Sequence, residues 1–450
     1  MMTENLSDTE LVKILSSVFK MSHTIDLTEQ NITDTKIEKY LLYYTSKYTS
    51  PINLQLIDEL YLNDNKLCCG FVLLFNILQL SSLRILSLSN NNLNDKGAIL
   101  LAKYLSVNTE NNYMSNLEYL DISNNSISHE GVKAISESLK KHKCLNELDI
   151  GNNNIGSIGV NYLGEMLKIN KSINILNITD NNIDIYNSNI FALGISINKS
   201  LCCLNISNNY FDELDEDIID DTDSNDRMNY YNKIEEVIQF ILSSTSIKDL
   251  VCDSCKIDDI HTQFFANELK TNNTITNLYL RDNQISNNGA YLLFDALKNN
   301  EHTVVKYMSL ANTYIDNECM SSFAEFIGNN EVIQAVDMYD TDINNEGLIE
   351  LSTRPELKYN KSLVLLTFGK EDINEDEPIY NNEITAILNN NASLFWYPYI
   401  HKLNLFSSEM HNIIISTVLC NTYGNLQVRL PMEVLIYIFK FFNRFNFLNY

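Results

Sequence analysis

A single short pattern recurs along this chain and leaves little freedom in how it can fold. The stretch Leu117-Glu118-Tyr119-Leu120-Asp121-Ile122-Ser123-Asn124-Asn125-Ser126-Ile127 reads L-x-x-L-x-L-x-x-N-x-L. Its first apolar position returns at Leu145, Ile173 and Leu201, in steps of 28 residues. A fixed period of this size marks stacked copies of one supersecondary unit, because no copy can bury its apolar face alone. For such a chain, function is a question of surfaces: what an elongated array of units can hold.

The phase extends both ways. Upstream, Leu83/Leu86/Leu88/Asn91/Leu93 and Ile57/Leu60/Leu62/Asn65/Leu67 fit in full, and Ile25/Leu27/Gln30/Ile32 is a weak copy suited to an N-terminal cap. Downstream stand Ile247/Leu250/Cys252/Cys255/Ile257, Ile275/Leu278/Leu280/Asn283/Ile285, Val305/Met308/Leu310/Thr313/Ile315 and Ile333/Val336/Met338/Thr341/Ile343. Leu363/Leu366/Phe368/Ile373 and Ile400/Leu403/Leu405 are degenerate. About a dozen units cover roughly residues 20 to 410, with the atypical ends that capping repeats require.

The residue types suit a strand, a turn and a helix in each unit. Leu86, Leu88 and Leu93 would point into a continuous core, and strand alternation leaves Ile85, Ser87 and Ser89 on the other face. Asn65, Asn91, Asn125, Asn153, Asn181, Asn209 and Asn283 fall where the chain leaves the strand. A buried Asn there must hydrogen-bond backbone groups of the turn. Cys255, Thr313 and Thr341 are small substitutes at that position. Apolar residues at i, i+3 and i+4 predict helices over Asp95 to Leu105, Glu130 to Leu139 and Asn288 to Leu297.

These residues resemble the ribonuclease-inhibitor-like class of leucine-rich repeats. The markers are the 28-residue period, the N-x-I turn, the Gly that follows (Gly97, Gly131, Gly159, Gly289, Gly347) and the Asn-Lys-Ser links at Asn170, Asn198 and Asn360. The resemblance implies an α/β solenoid, a horseshoe with a concave parallel β-sheet and outer helices. It implies protein binding rather than chemistry, so neither enzymatic activity nor a cofactor is expected. The expected division is a helical cap with a degenerate first repeat over 1–50, repeats over 51–373, a degenerate repeat and cap over 374–424, and a helical tail over 425–450.

The net charge of −26 argues against nucleic acid and anionic membranes as partners. It suits a basic target protein, although solubility alone is the commoner reason for such a surplus. The N-terminus lacks the basic and apolar regions of a signal peptide, and no apolar run reaches membrane-spanning length. The nine cysteines follow no disulfide framework. A cytoplasmic protein with reduced thiols is expected, the cytoplasm being the host's if the chain is viral or from an intracellular parasite.

The step from Leu201 to Ile247 is longer than the period, and the excess lies in an acidic insertion over 212–230. Dense like charge predicts a flexible loop there. Its acids lack the spacing, the Gly and the terminal Glu of a calcium-binding loop. Cys252-x-x-Cys255 is the nearest approach to a metal or redox motif, but no second pair or spaced His accompanies it, and both cysteines occupy repeat positions. The seven histidines are scattered, and no phosphate-binding Gly loop or nucleophile elbow is present. No catalytic or metal site is assigned.

The outward strand positions carry more information. They include Tyr61, Tyr119, Asp121, Glu147, Asp149, Asp249, Asp253, Tyr279, Arg281, Tyr307, Asp337 and Tyr339. Tyr and Arg are favoured binding anchors, although exposed strands carry Tyr for its strand propensity too. An acidic cluster near Asp121 to Asp149 and a Tyr/Arg-rich cluster near Tyr279 to Tyr339 are the candidate partner footprint.

Past Ile373 the phase fades, and further on stands Leu430-Pro431-Met432-Glu433-Val434-Leu435-Ile436-Tyr437-Ile438-Phe439-Lys440-Phe441-Phe442. Pro431 and Glu433 suit the first turn of a helix. Leu430, Pro431, Glu433, Val434, Leu435, Ile438, Phe439 and Phe442 match the opening of an F-box. The segment is similar to the shortened F-box-like PRANC module that ends poxviral and some bacterial ankyrin-repeat proteins. That resemblance implies docking on the Skp-type adaptor of a cullin–RING ubiquitin ligase, with the repeats recruiting the substrate. The bland reading is a capping helix on a plain leucine-rich-repeat binding protein, such as an enzyme inhibitor or a Ran-activator-like GTPase regulator acting through Arg281.

Overall fold

The computed structural model describes residues 23–39, 57–77, 82–106, 114–211 and 224–368, together with Ile384. Among the described residues, twelve short strands form one parallel sheet in which each pairs with the next in chain order. They are β1 (Thr24–Asp26), β2 (Glu59–Tyr61), β3 (Ile85–Ser87), β4 (Tyr119–Asp121), β5 (Glu147–Asp149), β6 (Ile175–Asn177), β7 (Cys203–Asn205), β8 (Asp249–Val251), β9 (Asn277–Tyr279), β10 (Tyr307–Ser309), β11 (Ala335–Asp337) and β12 (Leu365–Thr367). Crossover helices link them: α1 (Phe71–Ile77), α2 (Asn94–Leu105), α3 (His129–Leu139), α4 (Gly156–Leu167), α5 (Asn189–Ile197), α6 (Ser224–Leu242), α7 (Asp259–Leu269), α8 (Asn287–Asn299), α9 (Met320–Asn329), α10 (Asn345–Thr353) and α11 (Pro355–Tyr359).

The middle residue of each strand from Ile25 to Val336 is the second apolar position of the pattern, and it is buried. Register is in step, with Leu120 opposite Leu148 and Leu148 opposite Leu176. Equivalent residues therefore stack in columns. Strands sit about 4.8 Å apart, whereas packed helices need about 8–10 Å. Stacking the two layers together forces curvature toward the sheet, which makes the strand face the concave one.

Two asparagine ladders hold the stack. In the first, Asn153 Nδ2 donates to the carbonyls of Ile122, Ile150 and Gly151, and its Oδ1 accepts from the amides of Asn125 and Ile127 at 3.0 and 2.9 Å. The residue just before each ladder position takes positive φ: Asn90, Asn124, Asn152, Asp180, Asn208, Ser254, Asp282 and Asn312 lie between 50° and 57°. Asn and Asp tolerate this left-handed turn better than other side chains. At the substitute position, Cys255 Sγ lies 3.4 Å from the Ile206 carbonyl. Thr313 and Thr341 each donate one hydroxyl to a carbonyl of their own turn.

The second ladder is the role of the Asn-Lys-Ser links. Asn170 Nδ2 donates to the Leu139 carbonyl at the end of α3, and its Oδ1 accepts from the amides of Ser172 and Ile173. Asn198, Asn300 and Asn360 repeat this on the ends of α4, α7 and α9. His142 takes the same place one unit earlier, with Nε2 2.8 Å from the Met114 carbonyl and Nδ1 accepting from Leu145 N. Burial lowers its pKa, which suits a neutral ring in that role.

The helix starts are tied across units as well. Asp259 in α7 accepts from Ser286 N and Gly289 N of the next unit, at 2.9 and 3.0 Å. A Cβ on Gly289 would stand 2.5 Å from the same carboxylate oxygen, so this glycine is the cost of a close inter-unit bond. In α7 the cap Asp258 holds the buried His261, whose Nδ1 is 2.6 Å from Oδ1. Burial pushes the Asp258 carboxyl up, but the His261 hydrogen bond and charge outweigh it and leave the pKa below 3.8. A lowered carboxyl contributes stability above its ordinary pKa and loses it as pH falls through the folded value. Asp258→Asn should therefore lower the melting temperature at pH 6, and the gap to wild type should close below pH 3.8. A gap independent of pH would refute the pairing.

Between β7 and β8 the structure departs from the expected loop. Residues 224–230 of the acidic stretch begin α6, a 19-residue helix. Its buried Ile234, Val237, Ile238 and Ile241 rejoin the core. The apolar spacing of those four residues wins over the charge density that precedes them. Residues 212–223 lie outside the described residues, as does the tail from Leu430 to Phe442.

Candidate partner-binding face

The residues expected outside the core sit where strand alternation puts them, except that Asp337 is buried, covered by its neighbours in β10 and β12 and bonded by Ser309, Thr367 and Tyr339 N. Tyr61, Tyr119, Asp121, Glu147, Asp149, Asp249, Tyr279, Tyr307 and Asp337 flank the buried middle residues of β2, β4, β5, β8, β9, β10 and β11. Asp253, Arg281 and Tyr339 stand two residues past the ends of β8, β9 and β11. Each belongs to one of three columns running across the strands.

The acidic group is built from β4 and β5. Asp121 accepts from Ser123 N and Ser123 Oγ, and from Ser87 Oγ of β3 at 3.0 Å. Asp149 accepts from Gly151 N at 2.8 Å and from Asn177 Nδ2 of β6 at 2.9 Å. Burial pushes the Asp149 carboxyl up, its two donors oppose this, and Asp121 adds to it. Burial also raises the Tyr119 phenol, with Asp121 and Glu147 next in effect. Tyr61 is raised by burial and then by Glu59 and Asp26. Both of these phenols stay neutral at physiological pH, so carboxylates alone carry the charge of this acidic group.

The second group joins tyrosines, an arginine and carboxylates. Tyr279 and Tyr307 pack with ring centroids 4.9 Å apart at 44°. Arg281 sits beside them but turns its Nε to Asp282 at 3.0 Å. Carboxylates act on the rings as well, against the charge of Arg281 at Tyr307. Tyr279 is raised by burial first, and then by Tyr307, Asp249, Cys203 and Asp253. Burial raises Tyr307 as well, followed by Asp337. Ser309 Oγ bonds Asp337 at 3.2 Å, and Thr367 of β12 donates to the same residue.

Sequence reading missed a rim contact, the two-pronged bond of Arg84 to Glu118 at 2.9 and 2.8 Å. Both residues stand one place before their strands, and that repeated offset is a signal that could have paired them. Cys252 and Cys255 are buried. Burial pushes the Cys255 thiol up to about 12 and raises Cys252 well above its ordinary value, so neither offers a thiolate. Among the described residues, no group of three or more His, Cys, Asp or Glu is placed to hold a metal ion. None of their helices is long and apolar enough to cross a membrane.

A family model described as "Leucine Rich repeat" matches residues 79–102, 113–136, 141–164 and 271–294. Those spans coincide with β3–α2, β4–α3, β5–α4 and β9–α8, the strand–turn–helix units seen above. The fold is a leucine-rich-repeat solenoid. No curated protein matches this solenoid. Among solved structures it is similar to an internalin, inlF, from Listeria monocytogenes, with 17% identity, 82% of this chain and 96% of that one covered, and a TM-score of 0.43. It is similar to a chain of the mouse RP105/MD-1 complex, with 14% identity, 81% and 53% covered, and a TM-score of 0.42. The actin-binding site 2 of leiomodin-1 matches 33% of the solenoid chain with 82% of its own length, at 14% identity and a TM-score of 0.27.

Proposed function

We propose that this chain is a protein-binding scaffold that recruits a target on its concave sheet and delivers it to a Skp-type adaptor of a cullin–RING ubiquitin ligase. The work is cytoplasmic and non-enzymatic. The observation that supports the scaffold is the concave face itself: an unbroken sheet presenting neutral tyrosines among carboxylates, a surface suited to a basic partner. The support for the adaptor lies in the sequence of the tail, where Leu430, Pro431, Glu433, Val434, Leu435, Ile438, Phe439 and Phe442 match the opening of an F-box. On this reading residues 51–373 hold the target, 374–424 close the array and 425–450 dock.

A pull-down of the adaptor by the full chain tests the second half. The wild type should retain it, and Leu430→Asp with Val434→Asp should lose it. No binding, or binding indifferent to that pair, would remove the ligase role. A plain binding protein would then remain, provided that removing residues 425–450 leaves target capture intact. In the GTPase-regulator version Arg281 would act, and its side chain is half exposed beside Asp282.

A further inference from the structure

Four neighbouring strands bring together residues that are far apart in sequence. Across β8 to β11, one column reads Asp249, Asn277, Tyr307, Ala335, and the next reads Val251, Tyr279, Ser309, Asp337. A third, two residues further on, holds Asp253 and Arg281. The two large side chains are flanked by small ones, and Ser309 and Ala335 are buried while the rings remain partly exposed. The result is a low aromatic bed with the partly exposed carboxylates of Asp249 and Asp253 on its β8 side, while Asp337 on the β11 side is buried.

We propose that this part of the concave face receives a basic side chain of the partner protein, arginine before lysine, with the Tyr279–Tyr307 pair as the bed and Asp249 and Asp253 as counter-charges. The proposal rests on the scaffold reading and names the partner's chemistry. Charge complementarity selects the occupant: two partly exposed carboxylates, Asp249 and Asp253, face one guanidinium, and that one donates to a third carboxylate, Asp282, at 3.0 Å. Lys248 and Lys306 stand outside the grid, one residue before β8 and β10. A cation over a tyrosine face is attracted by the ring quadrupole, and a planar guanidinium stacks there better than an ammonium. The neutral phenols keep that face available at physiological pH. The acidic group on β4 and β5 has carboxylates but a single tyrosine, so it offers charge without a paired bed.

Fluorescence anisotropy with the full chain and labelled nona-arginine, nona-lysine and nona-glutamate peptides tests this. Nona-arginine should bind more tightly than nona-lysine, and nona-glutamate should not bind. Tyr279→Ala with Tyr307→Ala should weaken nona-arginine on the order of tenfold, while the Phe pair at the same positions stays within about twofold. Asp249→Asn with Asp253→Asn, which keeps the side-chain shapes, should also cost on the order of tenfold. Asp121→Asn with Asp149→Asn should change it by less than about twofold, because those residues lie off the bed. Equal binding of the arginine and lysine peptides, a folded Ala pair that binds normally, or an equal loss at Asp121 and Asp149 would each overturn the site. These peptides do not use the tail, so failure here leaves the adaptor reading standing, and loss of the adaptor leaves this measurement unchanged.

Discussion

Asn153→Leu is expected to destabilise the chain by about 3–5 kcal/mol, although leucine is more apolar and of similar size. The side chain of Asn153 serves five backbone groups of the turn at once. Leucine would leave the buried amides of Asn125 and Ile127 without their acceptor, and an unpaired buried polar group costs about 1–3 kcal/mol. The damage should spread along the array, because each unit is stabilised only by its neighbours. Denaturant unfolding of the two proteins decides the matter, and a difference below about 1 kcal/mol would show that the ladder is ornamental. Thr313→Val is the matching control. Thr313 makes a single side-chain bond, to the Leu310 carbonyl at 2.7 Å, so its loss should cost only about 1 kcal/mol.

The second large effect is steric. Helices α4 and α5 touch through bare backbone at Gly164 and Gly194. A Cβ on Gly194 would lie 2.8 Å from Gly164 Cα and would also meet the Gly164 carbonyl oxygen. Nothing on either side is a flexible side chain that can swing away, so Gly194→Val must push the two helices apart. Overpacking costs about 1–3 kcal/mol where side chains can yield and more where they cannot. A loss of about 3–5 kcal/mol is expected, with a lower melting temperature as the readout. Gly156 gives the contrast. It has a positive φ of 58°, but its added Cβ would meet only the Asn182 carbonyl oxygen at 3.9 Å. Gly156→Asn should cost less than about 1 kcal/mol, since Asn adopts this conformation elsewhere in the same turn. A Gly194→Val protein as stable as wild type would refute the close helix contact.

Most of the unit was legible because its causes are local. The strand alternates with period 2, the helix with period 3.6, and the turn needs an Asn whose amide can bond three carbonyls. The doublet Asn124-Asn125 was only half understood from sequence. Asn125 was recognised as the buried ladder residue, whereas Asn124 is there because the backbone turns left-handed at φ 52°. The Asn-Lys-Ser links are visible in the sequence as markers, but their bonds to the helix one unit back cross 31 residues and cannot be read from spacing. Only residues 224–230 of the acidic stretch depart from the expected loop: charge density says that a segment is solvated, not that it lacks a helix, and the apolar spacing from Ile234 to Ile241 favours one there.

The recurring pattern by itself determined the strand–turn–helix unit, its copy number to within the degenerate ends, and which residues of each strand face the core. Those properties follow from the periodicity of side-chain direction within one unit. Only the tertiary structure decided which outward residues become neighbours. In-register stacking brings Tyr279 against Tyr307, flanks them with Asp249, Asp253 and Asp337, and turns Arg281 to Asp282. The chain holds these groups up to 88 residues apart, so no local rule could assemble them. The columns of the concave sheet do so, because parallel strands about 4.8 Å apart place equivalent positions side by side.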